Sequence, residues 1–240
     1  MMFNLVWGIF FVVVNFGLFL LCYRLFGRKG LYAWIGFATV LANIQVTKTI
    51  EMLGIVMTLG NTIYTSIYMA TDLLNEKYGA KAAKQAVWFG FFSLLASTVM
   101  MQMALAFAPY TDELALEMQQ AMASIFGLMP RLAAASLCAY FISQFLDVRV
   151  YSYLKIKFAG YNQLWLRTNG STAVSQLVDS LVFCTIAFAG LYSLQVWLQI
   201  LLTTYLFKFV ITAASTPVMY LARSFKHAED ADAAEPRSGR

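Results

Sequence analysis

Charge is scarce in this chain: only 12% of its 240 residues are Asp, Glu, Lys or Arg, against about 25% in a soluble domain. An ordinary soluble fold is excluded on that ground. Histidine occurs once, at His227 in a polar C-terminal stretch, which removes His-based metal sites and Ser-His or Cys-His catalysis from the apolar body of the chain. Cysteine is nearly as rare. Cys22, Cys138 and Cys184 are odd in number, lie in separate apolar segments and lack metal-ligand spacing, so they read as packing residues. No G-x-x-x-x-G-K-[ST] phosphate loop occurs, and the chain therefore does not hydrolyse ATP itself. These absences point away from an enzyme and call for no cofactor.

What fills the sequence is apolar: 60% of its residues are hydrophobic and the mean hydropathy is +0.67. The bilayer is the expected solvent. At about 20 apolar residues per crossing, the spacing predicts seven segments, near 3–26, 31–50, 52–74, 83–108, 130–154, 170–191 and 195–221. The first is no cleaved signal, because Arg24, Arg28 and Lys29 follow the apolar run instead of preceding it. The expected architecture is an all-α polytopic transmembrane bundle. Residues 1–30 form an additional N-terminal helix, 31–223 a six-helix core, and 224–240 a disordered cytoplasmic tail rich in Ala, Asp, Glu and Arg. Between 109 and 126 the spacing of Leu114, Met118 and Met122 suits a short helix on the membrane surface, with a plain loop as the alternative.

Fourteen of the seventeen basic residues fall in 23–30, 75–84, 149–167 and the tail. The loop at 108–124 has Asp112, Glu113 and Glu117 but neither Lys nor Arg. The positive-inside bias then places the N-terminus outside and the C-terminus in the cytoplasm. It also explains the net charge of +5 without nucleic acid, since no basic cluster resembles a phosphate-binding patch.

The three remaining basic residues are Lys48, Arg131 and Lys208. Lys48 and Arg131 lie near helix ends, where long side chains reach water. Lys208 falls midway along the last segment, and an unpaired charge at that depth costs at least about 2.5–3.5 kcal/mol. A buried carboxylate is the usual remedy, and Asp72, Glu76, Asp147 and Asp179 are the candidates. Asp72 and Glu76, four apart on one helix face, approach the cytoplasmic end, and both, Glu76 more than Asp72, also read as a solvated helix terminus beside Lys77 or Lys81.

Asp147 and Asp179 belong to the same five-residue pattern: Ser143, Gln144 and Asp147 in one segment, Ser175, Gln176 and Asp179 in the next. The topology makes these helices antiparallel and brings both patterns near mid-membrane, where they can face a shared cavity. An interhelical clasp, worth about 0.6 kcal/mol per bond, is the structural alternative. Carboxylate and amide together suit a planar heterocycle, the acid accepting from adjacent N–H groups and the amide serving carbonyl and ring nitrogens. Tyr64, Tyr68, Tyr140 and Trp165 are candidates for stacking. The same chemistry equally allows a cationic or amino-acid-like solute.

The strings MATDLLNEKYGAKAAKQ (69–85), PRLAAASLCAYFISQFLDVRVYSYLK (130–155), LWLRTNGSTAVSQLVDSLVFCTIAF (164–188) and YLFKFVITAASTPVMY (205–220) resemble the queuosine precursor transporter family, also called the vitamin uptake transporter family. Order and spacing match over most of residues 31–221. The resemblance implies a multi-pass inner-membrane carrier that imports 7-cyano-7-deazaguanine, 7-aminomethyl-7-deazaguanine or queuine for tRNA modification, by facilitated or proton-coupled uptake. The expected partners are that small molecule and the lipid bilayer, and a bundle this small leaves room for a homodimer. By position in the shared motifs, Asp72, Arg131, Gln144, Asp147, Asn169, Gln176, Asp179 and Lys208 form the implied substrate-binding set, with Asn43 as an outlying member. Asp179 or Asp147 would take the 2-amino and N1–H edge, and Gln144 and Gln176 the carbonyl and ring nitrogens. The first helix stands outside the family core. The rival reading is a substrate-binding subunit of an energy-coupling transporter driven by a separate ATPase. Pro217 and Gly60 suit either helix loosening for alternating access or, for Pro217, a fixed kink.

Overall fold

The computed structural model describes residues 2–52, 55–127, 130–188, 190 and 193–227. Within them the chain forms six α-helices, where the sequence predicts seven. Two long helices each take up two predicted segments, and the short helix α3 (Glu113–Met122), outside the seven, brings the number to six. α1 (Met2–Gln45) contains the first two predicted segments and is broken at Gly27, whose φ of 55° and ψ of −138° leave the helical region. α2 (Gly60–Leu105) contains the next two and is broken at Gly79, with φ 82° and ψ 169°. Positive φ costs a glycine little and other residues more, so one glycine does the work of each expected loop.

Both breaks fold the chain back on itself. Phe19 and Trp34 lie about 22 Å apart on a straight helix, yet their ring centroids are 5.8 Å apart. On α2, Tyr64 and Gly90 would be about 39 Å apart. Tyr140 nevertheless packs its ring 6.2 Å from that of Tyr64 and sets its hydroxyl against Gly90.

Between α1 and α2 the predicted segment ends, 45–50 and 52–59, are replaced in part by an antiparallel hairpin. β1 (Thr49–Met52) pairs with β2 (Ile55–Thr58), Thr49 opposite Thr58. Its Thr, Ile and Val residues are β-branched, which suits a strand better than a helix. α3 (Glu113–Met122) is the short surface helix; Asp112 caps it by accepting from the Ala115 N–H at 2.8 Å, and none of its residues is buried. α4 (Pro130–Lys157), α5 (Leu164–Phe188) and α6 (Leu194–Ser224) complete the bundle, and α6 runs through Pro217 without interruption.

Among the described residues, four helical stretches are long and apolar enough to cross a membrane: Phe3–Gln45, Gly60–Leu105, Tyr161–Ala187 and Trp197–Ser224. Large apolar side chains such as Phe10, Val13, Phe92, Leu202 and Val210 are exposed along them, as a lipid-facing surface requires. The interior divides in two. Where α1 meets α2 the packing is apolar and rich in alanine (Ala38, Ala42, Ala70, Ala83, Ala86) beside Phe19, Ile35, Ile67 and Leu73. Small residues let helices approach closely where lipid offers no hydrophobic drive to associate. Where α2, α4, α5 and α6 meet, buried Thr, Ser, Gln, Asp and Lys stand among Tyr68, Tyr140, Val148 and Tyr151.

The expected disordered tail begins with ordered residues: Phe225 stacks on Tyr23 at 6.0 Å, and the His227 ring lies 4.7 Å from that of Tyr23. Residues 228–240 lie outside the described part of the chain.

Candidate functional site

Lys208 sits midway along α6, and its Nζ donates to Asp179 Oδ2 at 2.8 Å, with the two side chains only 9% and 3% exposed. Its charge also lies 5.0 Å from the centre of the Tyr64 ring. The other carboxylate oxygen, Asp179 Oδ1, accepts from Ser143 Oγ at 3.0 Å and from the Tyr64 hydroxyl at 3.2 Å. Tyr68 in turn donates to Ser143 at 2.9 Å. Both oxygens of Asp179 are therefore engaged by the protein itself, which makes this aspartate the counter-ion of the lysine.

The second half of the cluster mirrors the first. Ser175 Oγ of α5 donates to Asp147 Oδ1 of α4 at 2.7 Å. The two Ser-Gln-x-x-Asp patterns thus exchange bonds crosswise between antiparallel helices, each serine serving the aspartate of the other. Here, however, no lysine completes the arrangement. Asp147 faces Asp72 of α2, and the two carboxyl groups lie close enough to interact directly. Asp147 Oδ2 and both oxygens of Asp72 are buried and receive no hydrogen bond among the described residues; Thr168 and Ser171 flank them without hydrogen-bond geometry.

The two glutamines are each half used. Gln144 Oε1 accepts from Thr71 Oγ1 at 3.3 Å, leaving its N–H₂ without a partner. Gln176 donates to Thr212 Oγ1 at 3.0 Å, leaving its carbonyl oxygen without one. The cluster thus presents one amide donor, one amide acceptor and a pair of carboxyl groups, all fully buried. Tyr64, Tyr68 and Tyr140 form an aromatic wall beside it, their rings 5.7 and 6.2 Å apart. Trp165 is 52% exposed and does not belong to that wall.

The structure brings Asp72, Gln144, Asp147, Gln176, Asp179 and Lys208 together. Asn169 lies on the shoulder of the group, donating to Thr216 Oγ1 at 2.8 Å and so tying α5 to α6. Asn43 stands apart on α1, where it donates to the carbonyl of Thr39 at 2.9 Å. Arg131 opens α4, and its side chain lies outside the described residues. No group of three or more His, Cys, Asp or Glu side chains able to hold a metal occurs among the described residues. An apolar cavity of about 170 Å³ lies elsewhere, lined by Leu5, Ile9, Val12, Leu59, Phe207 and Ile211; it lacks the paired donors and acceptors of the central cluster.

One turn along α2 from Asp72 is a feature that sequence reading missed. Glu76, which the sequence left open between a partner for Lys208 and a solvated terminus, is buried and accepts from Arg167 at 2.7 Å, Arg223 at 3.0 Å and the Tyr151 hydroxyl at 3.0 Å. Arg167 also donates to the carbonyl oxygens of Phe158 and Gly160, and Lys155 to that of Asn75 at 2.7 Å. Lys77 bonds Tyr23 at 2.8 Å and reaches the carbonyl of Phe225. The ends of α2's first arm, α4, α5 and α6 are cross-linked there. Sequence spacing carries no signal for it, because Glu76 and Arg167 are 91 residues apart.

These features define a multi-pass helical membrane protein whose interior encloses an ion pair, a carboxyl pair and two half-engaged amides. Its family can be stated. Residues 58–222 match the family model described as "Putative vitamin uptake transporter", and the chain belongs to that transporter family. It is 49% identical over 222 residues to a Bacillus subtilis (strain 168) protein called "Probable queuosine precursor transporter", covering 92% of this chain and 96% of that one. It is also similar, at 27% identity over 182 residues, to the Escherichia coli (strain K12) "Queuosine precursor transporter", covering 75% and 78% of the two chains. A Haemophilus influenzae "Probable queuosine precursor transporter" is 27% identical over 158 residues, 64% of this chain and 63% of that one. No solved structure matches the chain.

Proposed function

We propose that this protein is an inner-membrane transporter that imports queuosine precursors: 7-cyano-7-deazaguanine, 7-aminomethyl-7-deazaguanine or queuine. The names of its relatives support the substrate class, and the buried polar cluster supports the site. The observation that carries the reading is the set of unengaged groups at that cluster: Gln144 N–H₂, Gln176 C=O and the Asp72–Asp147 pair. A 7-deazaguanine offers the complement, with a ring N–H and an exocyclic amine beside a carbonyl and further nitrogens around the rings. Asp147 takes the N–H edge, since Asp179 is occupied by Lys208; Gln144 donates to a ligand acceptor and Gln176 accepts from a ligand donor. The tyrosine wall supplies a stacking face.

The breaks at Gly27 and Gly79 make seven crossings of the five long helices α1, α2, α4, α5 and α6, with α3 lying outside the count, the N-terminus outside and the C-terminus in the cytoplasm. Contacts support this: Tyr23, Lys77, Lys155, Arg167, Arg223 and Phe225 all meet at one end of the bundle, which the positive-inside rule makes cytoplasmic. These unengaged groups are buried, so a ligand reaches them only in a conformation in which the helices around the cluster have parted. Uptake of radiolabelled 7-cyano-7-deazaguanine into liposomes holding only the purified protein tests the reading. Accumulation or equilibration above empty liposomes is expected; failure to admit any 7-deazaguanine overturns it.

A further inference from the structure

The Asp72–Asp147 pair is the part of the site that the counter-ion logic leaves over. Each carboxyl is buried, at 1% and 0% exposure, and they face one another directly. Every neighbouring charge is committed elsewhere. From α2, Glu76 lies one turn away and is bonded by Arg167 of α5 and Arg223 of α6. From α4, Tyr151 donates to Glu76. From α6, Lys208 is bonded to Asp179 of α5. Tyr68 of α2 donates to Ser143 of α4, and α1 reaches this end of the bundle through Tyr23, bonded by Lys77. No cation among the described residues serves Asp72 or Asp147. Two carboxylates in contact repel strongly in a dry interior, and a shared proton is the ordinary relief.

We propose that Asp72 and Asp147 hold one proton between them and that this proton completes the ligand site: the Asp147 carboxylate accepts from a ring N–H and the adjacent exocyclic amine, while the acid O–H of Asp72 donates to the neighbouring ring carbonyl. The assignment of roles follows from the donors. Asp147 Oδ1 receives the Ser175 hydroxyl at 2.7 Å, a bond that suits a carboxylate. Asp72 receives none and is free to act as the acid. Acceptor, acceptor and donor then stand in a row, the complement of the donor–donor–acceptor edge of a 2-amino lactam. A 6-amino heterocycle without the lactam presents a donor where Asp72 also donates, and is refused.

This inference rests on the substrate reading above and deepens it by making one proton a part of binding. Detergent-solubilised full-length protein is titrated with 7-cyano-7-deazaguanine between pH 5.5 and pH 9.5. Affinity is expected to hold at the acid end and to fall about tenfold for each pH unit once the pair has lost its proton. In weakly buffered solution on that falling limb, ligand addition should withdraw protons, read with an indicator dye. Asp72→Asn supplies an amide N–H in place of the acid O–H and should flatten the pH profile and abolish proton uptake. Wild-type binding with constant affinity and no proton uptake across the range overturns the proton, while leaving the substrate reading intact. Absence of binding at every pH overturns both. The wild-type titration decides the matter even if Asp72→Asn fails to fold.

Discussion

Lys208 Nζ and Asp179 Oδ2 stand 2.8 Å apart in the middle of the bundle, and Tyr64 and Ser143 occupy the other oxygen of the same carboxylate. The pair is buried, so its value lies in being complete: removing one partner strands a charge at a cost of about 3–5 kcal/mol. Lys208→Met should accordingly lower the thermal midpoint of the purified protein, and Lys208→Met combined with Asp179→Asn should recover most of the loss. A double variant as unstable as the single one would show that the pairing contributes nothing to the fold.

The two aspartates of the repeated pattern should separate by phenotype. Asp147→Asn removes a carboxylate offered to ligand and should weaken 7-cyano-7-deazaguanine binding by about ten- to a hundredfold, with a smaller effect on thermal stability. Asp179→Asn strands Lys208 and should reduce stability first. Equilibrium binding and thermal scanning-fluorescence assays, made on both variants, check the division; the reverse pattern would assign the ligand to Asp179.

Glu76 ties Arg167 and Arg223 to α2, and Glu76→Gln leaves Arg167, only 1% exposed in its side chain, with carbonyl partners alone. A loss of about 3–5 kcal/mol is expected. Glu113→Gln, on the exposed face of α3, should stay within about 0.5 kcal/mol of the parent. Denaturant unfolding in mixed micelles measures both.

At Gly79 an added Cβ would meet nothing within 4 Å, so any cost of Gly79→Ala comes from the backbone at φ 82° and amounts to about 1–3 kcal/mol. Gly17 has the same open surroundings within a helix, and Gly17→Ala should instead stabilise by about 1 kcal/mol. Opposite shifts of thermal midpoint in the two variants are the expected result; equal shifts would remove the reversal at Gly79 as a constraint.

Much of the site could be read from the sequence because its residues violate the rules of their surroundings. Lys208 at mid-helix and two Ser-Gln-x-x-Asp patterns are conspicuous in a stretch otherwise composed for lipid. Which carboxylate answers the lysine could not be read: Asp72 lies nearer the cytoplasmic end, but Asp147 and Asp179 sit in the same pattern at similar depth and are equivalent until the helices are docked. The buried bond of Glu76 to Arg167 was hidden for a different reason. Each residue lies near a helix end, where charge is unremarkable, and only the meeting of those ends takes both out of water. The two reversals were legible, because Gly27 and Gly79 fall in the basic stretches 23–30 and 75–84 that separate predicted segments, whereas Gly17 lies inside an apolar run; what the sequence did not show is that a single glycine, and not a loop, makes each turn.

The crosswise bonds of α4 and α5 also limit how these helices can move. Ser143–Asp179 and Ser175–Asp147 lie four residues apart on each helix, close to one turn. Slipping α5 one turn along α4 in one direction would bring Asp147 against Asp179, two acids nose to nose; slipping it the other way would set Ser143 against Ser175 and leave Asp179 without its serine. The interface therefore behaves as a keyed joint. Opening toward either compartment is easier by tilting α4 and α5 as a unit against α2 and α6 than by sliding one past the other.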